Sequence, residues 1–134
     1  MPYLELMYNE EKNRILRILL ERSQSDLLTS RLLKHIDSIQ EIDLVRHYTG
    51  HAQWPIRMQA IAALGRIGQR EDLPALLQGL SDREWWVRYR AAQSLVKIIG
   101  MNLEELAMIL EKLEDPFAVT MLKHAIAEEE RRLG

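Results

Sequence analysis

"WWVRYRAAQSLVKI", residues 85–98, lies without gaps over "WPIRMQAIAALGRI", residues 54–67, at a shift of 31. Five positions are identical: Trp54/Trp85, Arg57/Arg88, Ala60/Ala91, Leu64/Leu95 and Ile67/Ile98. Ile56/Val87 and Arg66/Lys97 are chemically alike. Val87, Ala91, Leu95 and Ile98 recur at spacings of 4, 4 and 3, which is the buried stripe of an amphipathic helix and not the alternation of a strand. A helix that repeats after about thirty residues is one part of a stacked unit, because a single copy cannot bury its own apolar face.

A shorter helix precedes each copy. "EDLPALLQGLSD" (71–82) matches "EELAMILEKLED" (104–115), with Leu73/Leu106, Leu76/Ile109, Leu77/Leu110 and Leu80/Leu113 forming the apolar face, and "EIDLVRHYTGH" (41–51) falls in the same place one unit earlier. Punctuation marks the same boundaries. Ser81 with Glu84 and Asn102 with Glu105 read as capping boxes, and Asp115-Pro116 as a cap followed by proline in the first turn. Gly68 and Gly100 stand where a left-handed residue would end each long helix. No stretch reads as a strand or as a low-complexity linker. The expected architecture is all-α and a single domain over 1–134: an atypical N-terminal helical pair at 1–39, then units at 40–68, 70–100 and 102–132.

The composition suits one soluble core, with 134 residues, 47% hydrophobic and 28% charged. Eighteen basic against twenty acidic residues leave a net charge of -2 and a pI near 6.1, so the chain as a whole lacks the footprint of a phosphate binder. The absence of cysteine removes thiolate chemistry and thiolate metal sites, and fits a reducing, cytoplasmic setting. Apolar runs such as "ILRILL" (15–20) are far shorter than the roughly 20 residues of a membrane span, and "MPYLELMYNEEKNR" does not read as a secretory signal.

Asp82, then "WWVR" with Arg88 six residues on, then "AAQSL", resembles the HEAT repeat family, in particular the short-unit HEAT-like repeats of bacteria and of phycobilin lyases. The resemblance covers about residues 41–131 and fits the N-terminal pair loosely. It implies a right-handed α-solenoid in which turn aspartates and helix arginines form a ladder between units, with Arg57, Asp82, Arg88 and Asp115 as members. The ladder departs from the family pattern: His51 stands where the preceding unit would carry the equivalent of Asp82, and Thr120 or Met121 where the following unit would carry that of Arg88. Arg57 and Asp115 lack a matching partner within their own units.

The same resemblance implies that the second helix of each pair lines a concave face. With the apolar stripe removed, that face would present Met58, Gln59, Arg66, Trp86, Tyr89, Arg90, Gln93 and Lys97 as partner-binding residues. The two long helices hold Arg57, Arg66, Arg88, Arg90 and Lys97 against Glu84 alone. Aromatic, methionine and arginine side chains together have the composition of a protein-binding hot spot. Trp54 and Trp85, equivalent in the repeat, are expected to pack between helices; Trp86, opposite Pro55, is the contact candidate. "EEERR" (128–132) reads as a solvated helix end, and Asp37 with Glu41 as capping residues.

The expected function is therefore a non-enzymatic protein–protein interaction module, an adaptor or scaffold that binds an acidic or extended segment. The alternatives are nucleic-acid backbone binding in a basic groove, as in repair glycosylases built from HEAT-like repeats, and an accessory role in a lyase-like or membrane-tethered system. The sequence carries no phosphate loop, nucleophile elbow or glycine fingerprint. His47 and His51 are four apart, but a turn at Gly50 intervenes and no third ligand is placed, so no metal or cofactor is expected. Leu4, Leu6, Met7 and Tyr8 mark the N-terminal helices as a possible homodimer contact or as the continuation of a longer chain.

Overall fold

The computed structural model describes residues 2–134, with side chains from Glu5 onward, so Leu4 lies outside the described side chains. Among the described residues eight α-helices follow one another: α1 Pro2–Arg22, α2 Asp26–Leu33, α3 Ile42–Tyr48, α4 Trp54–Ile67, α5 Leu73–Gly79, α6 Trp85–Ile99, α7 Leu103–Lys112 and α8 Pro116–Leu133. Single 3-10 turns, Ile39–Glu41 and Arg70–Asp72, lead into α3 and α5. There is no strand among the described residues. From α3 onward a short helix precedes a longer one, while the first pair reverses the order, 21 residues before 8.

The even-numbered helices form one layer. α4 packs most extensively against α6, α8 lies against the other side of α6, and α2 lies against the other side of α4. α1, α3 and α5 each pack on the even helix that follows, whereas α7 rests chiefly on α6. One continuous core results, running from Leu16 in α1 to Ala125 in α8.

Helix α6 is buried on two flanks, which explains its sequence. Val87, Ala91, Ser94 and Leu95 form one buried stripe, and Ala92, Val96 and Ile99 widen it. Small residues let the layer close up. A Cβ on Gly65 would stand 2.5 Å from Ser94 Oγ, and one on Gly79 would stand 2.9 Å from the Ala91 Cβ. Gly65 lies inside α4 and Gly79 closes α5, and each is held to hydrogen because a neighbouring helix stands where its Cβ would go. The Ser94 hydroxyl donates to the Ile61 carbonyl at 2.9 Å, so α6 is bonded to α4 where they approach most closely.

Several helix boundaries differ in chemistry from the sequence expectation. Ser81 does not cap α6; Glu84 is the cap residue without a side-chain bond, and Asp82 Oδ1 instead accepts the Glu84 N–H at 2.9 Å. Asn102 and Asp115 do cap, accepting from the N–H groups of Glu105 and Phe117. Gly100 is left-handed, with φ 70°. Gly68 is not, at φ -66° and ψ 161°; it is glycine because a Cβ would lie 2.3 Å from the Leu64 carbonyl oxygen, to which its own N–H donates at 2.7 Å.

Truncating the fully buried Leu95 to alanine is expected to cost about 2–5 kcal/mol in a single cooperative transition, measured by denaturant unfolding. Gly65→Ala should cost about 1–3 kcal/mol through its clash with Ser94. At Gly50, where an added Cβ meets nothing within 4 Å, the same change should stay within about 0.5 kcal/mol.

Candidate functional site

Polar side chains join successive helical pairs at intervals of 24 to 26 residues. Asn13 and Asp37 exchange two bonds, Nδ2 to Oδ1 at 2.8 Å and Asp37 N–H to Asn13 Oδ1 at 2.9 Å, and Lys12 pairs with the other oxygen. Arg17 pairs with the buried Glu41 at 3.3 Å. The carboxylates of Asp37 and Glu41 therefore tie the first pair to the turn before α3; Glu41 stands in the cap position of α3, but its side chain makes no capping bond. One pair further, Arg46 grips Asp72 with both arms of its fork, at 2.8 and 3.1 Å.

Arg57 makes four bonds at its joint. Its Nε and Nη2 donate to the two oxygens of Asp82 at 2.9 and 3.0 Å, and Nη1 donates to the carbonyls of His51 and Ala52. The partner that its own unit lacks is supplied by the next one. Burial opposes ionisation of Asp82, yet the Arg57 fork, the Glu84 N–H and the charge of Arg57 hold its carboxyl below the ordinary carboxylate range. Asp72 is likewise held low against burial by Arg46 and the Gln69 N–H.

At Arg88, the repeat equivalent of Arg57, the pattern breaks. Its Nη1 donates to the Asp82 carbonyl at 2.8 Å, but its Nε is buried without a partner. The equivalent acid, Asp115, spends a carboxylate oxygen on the Phe117 N–H. The cause is the length of the turn. Asp82 stands three residues before the first residue of α6, whereas Asp115 stands one residue before that of α8, in the cap position itself.

Beside Arg88 lies an aromatic cluster. Trp85 stacks on Tyr89, with ring centroids 5.1 Å apart and planes 11° apart, and Trp86 meets Trp85 edge-on at 4.8 Å. Trp86 is 51% exposed and Trp85 47%. Trp85 is thus a surface residue, unlike the half-buried Trp54 that the repeat makes its equivalent. An aromatic neighbour, Tyr89, is where it finds its packing. Phe117 across the groove is 73% exposed and was not singled out from sequence; the shift of 31 that pairs Trp54 with Trp85 also places Phe117 opposite Trp86.

The remaining polar residues of the face are occupied in different ways. Tyr89 donates its hydroxyl to Glu128 on α8 at 3.1 Å, and burial together with that carboxylate pushes its pKa up. His124 pairs with the same Glu128, so the acidic end of α8 is in part an internal tie and not wholly a solvated tail. Arg66 donates to the carbonyls of Leu33 and Ile36, closing the C-terminal turn of α2, and burial lowers its pKa. Arg90 donates to Gln93 at 3.3 Å, Lys97 is exposed, and Met58 and Gln59 are half-buried.

The cationic excess counted along α4 and α6 is therefore smaller in space. Arg57 is neutralised by Asp82 and Arg66 serves carbonyls, while Lys97 shares a groove of about 210 Å³ with Glu128, Glu129 and Arg132, of which Glu129 already pairs with Arg132. Arg88, Arg90 and Lys97 are the three of the five without a salt bridge or a full set of carbonyl acceptors. No group of three or more metal-ligating residues occurs among the described residues, and His51 accepts the Gln53 N–H at Nδ1.

A family model described as HEAT repeats matches residues 14–96. The match begins within α1, so it takes in most of the N-terminal pair that the resemblance fitted only loosely. No curated protein matches the chain.

Because the folded pKa of Asp82 lies below its unfolded value, the stability it contributes is present above about pH 4 and is lost as the pH falls through the folded value. Asp82→Asn is expected to cost about 3 kcal/mol at pH 7, since it strands the Arg57 fork. In melting curves from pH 7 to pH 2 the gap between wild type and variant should narrow below pH 4; a constant gap would contradict the pairing.

Proposed function

We propose that this chain, which belongs to the HEAT repeat family, is a non-enzymatic protein–protein interaction module that binds an extended, acidic segment along the exposed face of α4, α6 and α8. Proteins built from these repeats generally mediate protein–protein contacts. In this reading the even-numbered layer is the concave side of a right-handed α-solenoid. The observation that carries it is the exposed pair Trp85 and Trp86, packed on the half-buried Tyr89, beside the lightly engaged guanidinium groups of Arg88 and Arg90. Large aromatic side chains that stay in water cost solvation and gain it back on contact, and arginine beside them selects for carboxylates.

Trp86 and Arg90 are the residues to change, since Tyr89 is also a tie between α6 and α8. Selection from a randomised peptide library displayed on phage should enrich acidic sequences. Trp86→Ala combined with Arg90→Glu should lose that binding by tenfold or more, with unfolding free energy unchanged within about 0.5 kcal/mol. Binding of a single-stranded oligonucleotide that weakens steeply with salt would overturn the assignment in favour of nucleic acid.

The N-terminal pair supports a second contact. Leu6, Met7, Tyr8, Ile15 and Leu19 of α1 are exposed, and a second copy of the chain is the occupant we assign to them. Sedimentation should give a mass twice the 15.7 kDa of the chain, falling to the monomer value in Tyr8→Glu/Ile15→Glu.

A further inference from the structure

We infer that the groove between the N-terminal halves of α6 and α8 is a carboxylate socket, in which Arg88 receives one Asp or Glu side chain of the bound segment while Trp85 and Phe117 flank the apolar residue beside it. This deepens the interaction reading above and rests on it.

The filled joint one unit earlier is the template. Arg57 and Arg88 occupy equivalent positions, and each spends Nη1 on a carbonyl six residues back, that of His51 or of Asp82. Arg57 then closes its Nε/Nη2 fork on both oxygens of a carboxylate. Arg88 has no such acceptor, because the shorter turn before α8 draws Asp115 into the cap of that helix. Its buried Nε–H remains unpaired, a condition that native interiors rarely leave standing.

The space beside Arg88 suits an outside acceptor. A groove of about 380 Å³ is lined by Trp85, Arg88, Phe117, Thr120, Met121 and His124, and none of these is an acid. Arg88 therefore faces walls that are mostly apolar, with the Thr120 hydroxyl and the His124 imidazole among them, while Glu128 beyond His124 is already held by that imidazole and by the Tyr89 hydroxyl. A guanidinium fork between aromatic rings takes a planar carboxylate in two parallel bonds, and a low-dielectric surround strengthens them. The occupant is assigned as an internal side chain and not a chain terminus, since the template joint is closed by a side-chain carboxylate.

The test uses the full chain labelled with ¹⁵N and the Nε–H resonance of Arg88, assigned from its absence in Arg88→Gln. The probes are a peptide blocked at both ends with one central aspartate between two leucines, its asparagine counterpart, the same leucine peptide ending in a free carboxylate, and inorganic phosphate. The aspartate peptide should shift the Nε–H saturably and bind about tenfold more tightly than the asparagine peptide, the free-ended peptide or phosphate. Arg88→Gln should remove that preference, and Phe117→Ala, a change at an exposed side chain, should weaken binding with the melting temperature unmoved.

Equal binding of the asparagine peptide overturns the socket, as does equal binding of phosphate or of the free-ended peptide. A through-bond coupling from the Arg88 Nε–H to the Asp115 carboxylate in the free protein also overturns it, since the joint would then be closed from within. If Arg88→Gln binds the library-selected peptides as tightly as wild type while Trp86→Ala/Arg90→Glu does not, the socket fails and the interaction face stands. Failure of both variants to weaken binding removes the face itself.

Discussion

The grip of Arg57 on Asp82 fixes the relation of the second pair of helices to the third. One guanidinium holds the turn before α4 through two carbonyls and the turn before α6 through both carboxylate oxygens. Helices that pack through alanine and glycine slide easily, because small side chains offer shallow ridges and grooves. At this contact Gly65 of α4 meets Ser94 of α6, and Gly79 of α5 meets Ile61 of α4, with no room for another methyl. A bidentate ion pair has one acceptable geometry, and that geometry holds the register in which these close approaches occur. The energy of a partly buried pair is modest once desolvation is counted, so its contribution here is to position more than to net stability.

The other joints repeat the device with different groups. Asn13 with Asp37, Arg17 with Glu41, and Arg46 with Asp72 each bind a helix to the turn that opens a following element. Arg70 and Glu105 connect the turn before α5 to α7. The chemistry varies while the span of 24 to 26 residues persists in all but the last. A shared span follows from stacking pairs of similar length: a residue on one helix faces the turn of the next pair at nearly the same distance along the chain.

The helices were legible because their signals are local. Repetition of Trp54–Ile67 at Trp85–Ile98, and the caps at Asn102 and Asp115, lie within one or two turns of the chain. The joints were not, since each pairs residues from neighbouring units; Arg57 looked unpartnered only when its partner was sought inside its own unit. Gly68 shows a related limit. Its position at a helix end suggested a left-handed backbone, whereas what requires glycine there is the Leu64 carbonyl one turn back in α4, with Ile98 of α6 also within contact of a Cβ. Charge was misread for the same reason: five cations along two helices became three once Asp82 and the α2 carbonyls were in place.

Departures from the repeat are what distinguish this face from an ordinary stack. In a regular array every arginine fork meets its aspartate and every bulky side chain meets its neighbour, leaving a surface with little to recognise. Two residues fewer in the turn before α8 move Asp115 to the helix cap, and the same shortening brings Phe117 close behind the cap, onto the first turn of α8. One change in chain length thus opens a cation and sets an aromatic ring beside it. Opposite, the step from Pro55 to Trp86 adds an indole that packing does not demand. Each departure forfeits an internal contact that the preceding unit keeps, and both fall on the same end of α6. Departures from local rules gather where a protein meets something outside itself, and on that ground the proposed interaction face is drawn at the irregular end of the repeat and not at its regular centre.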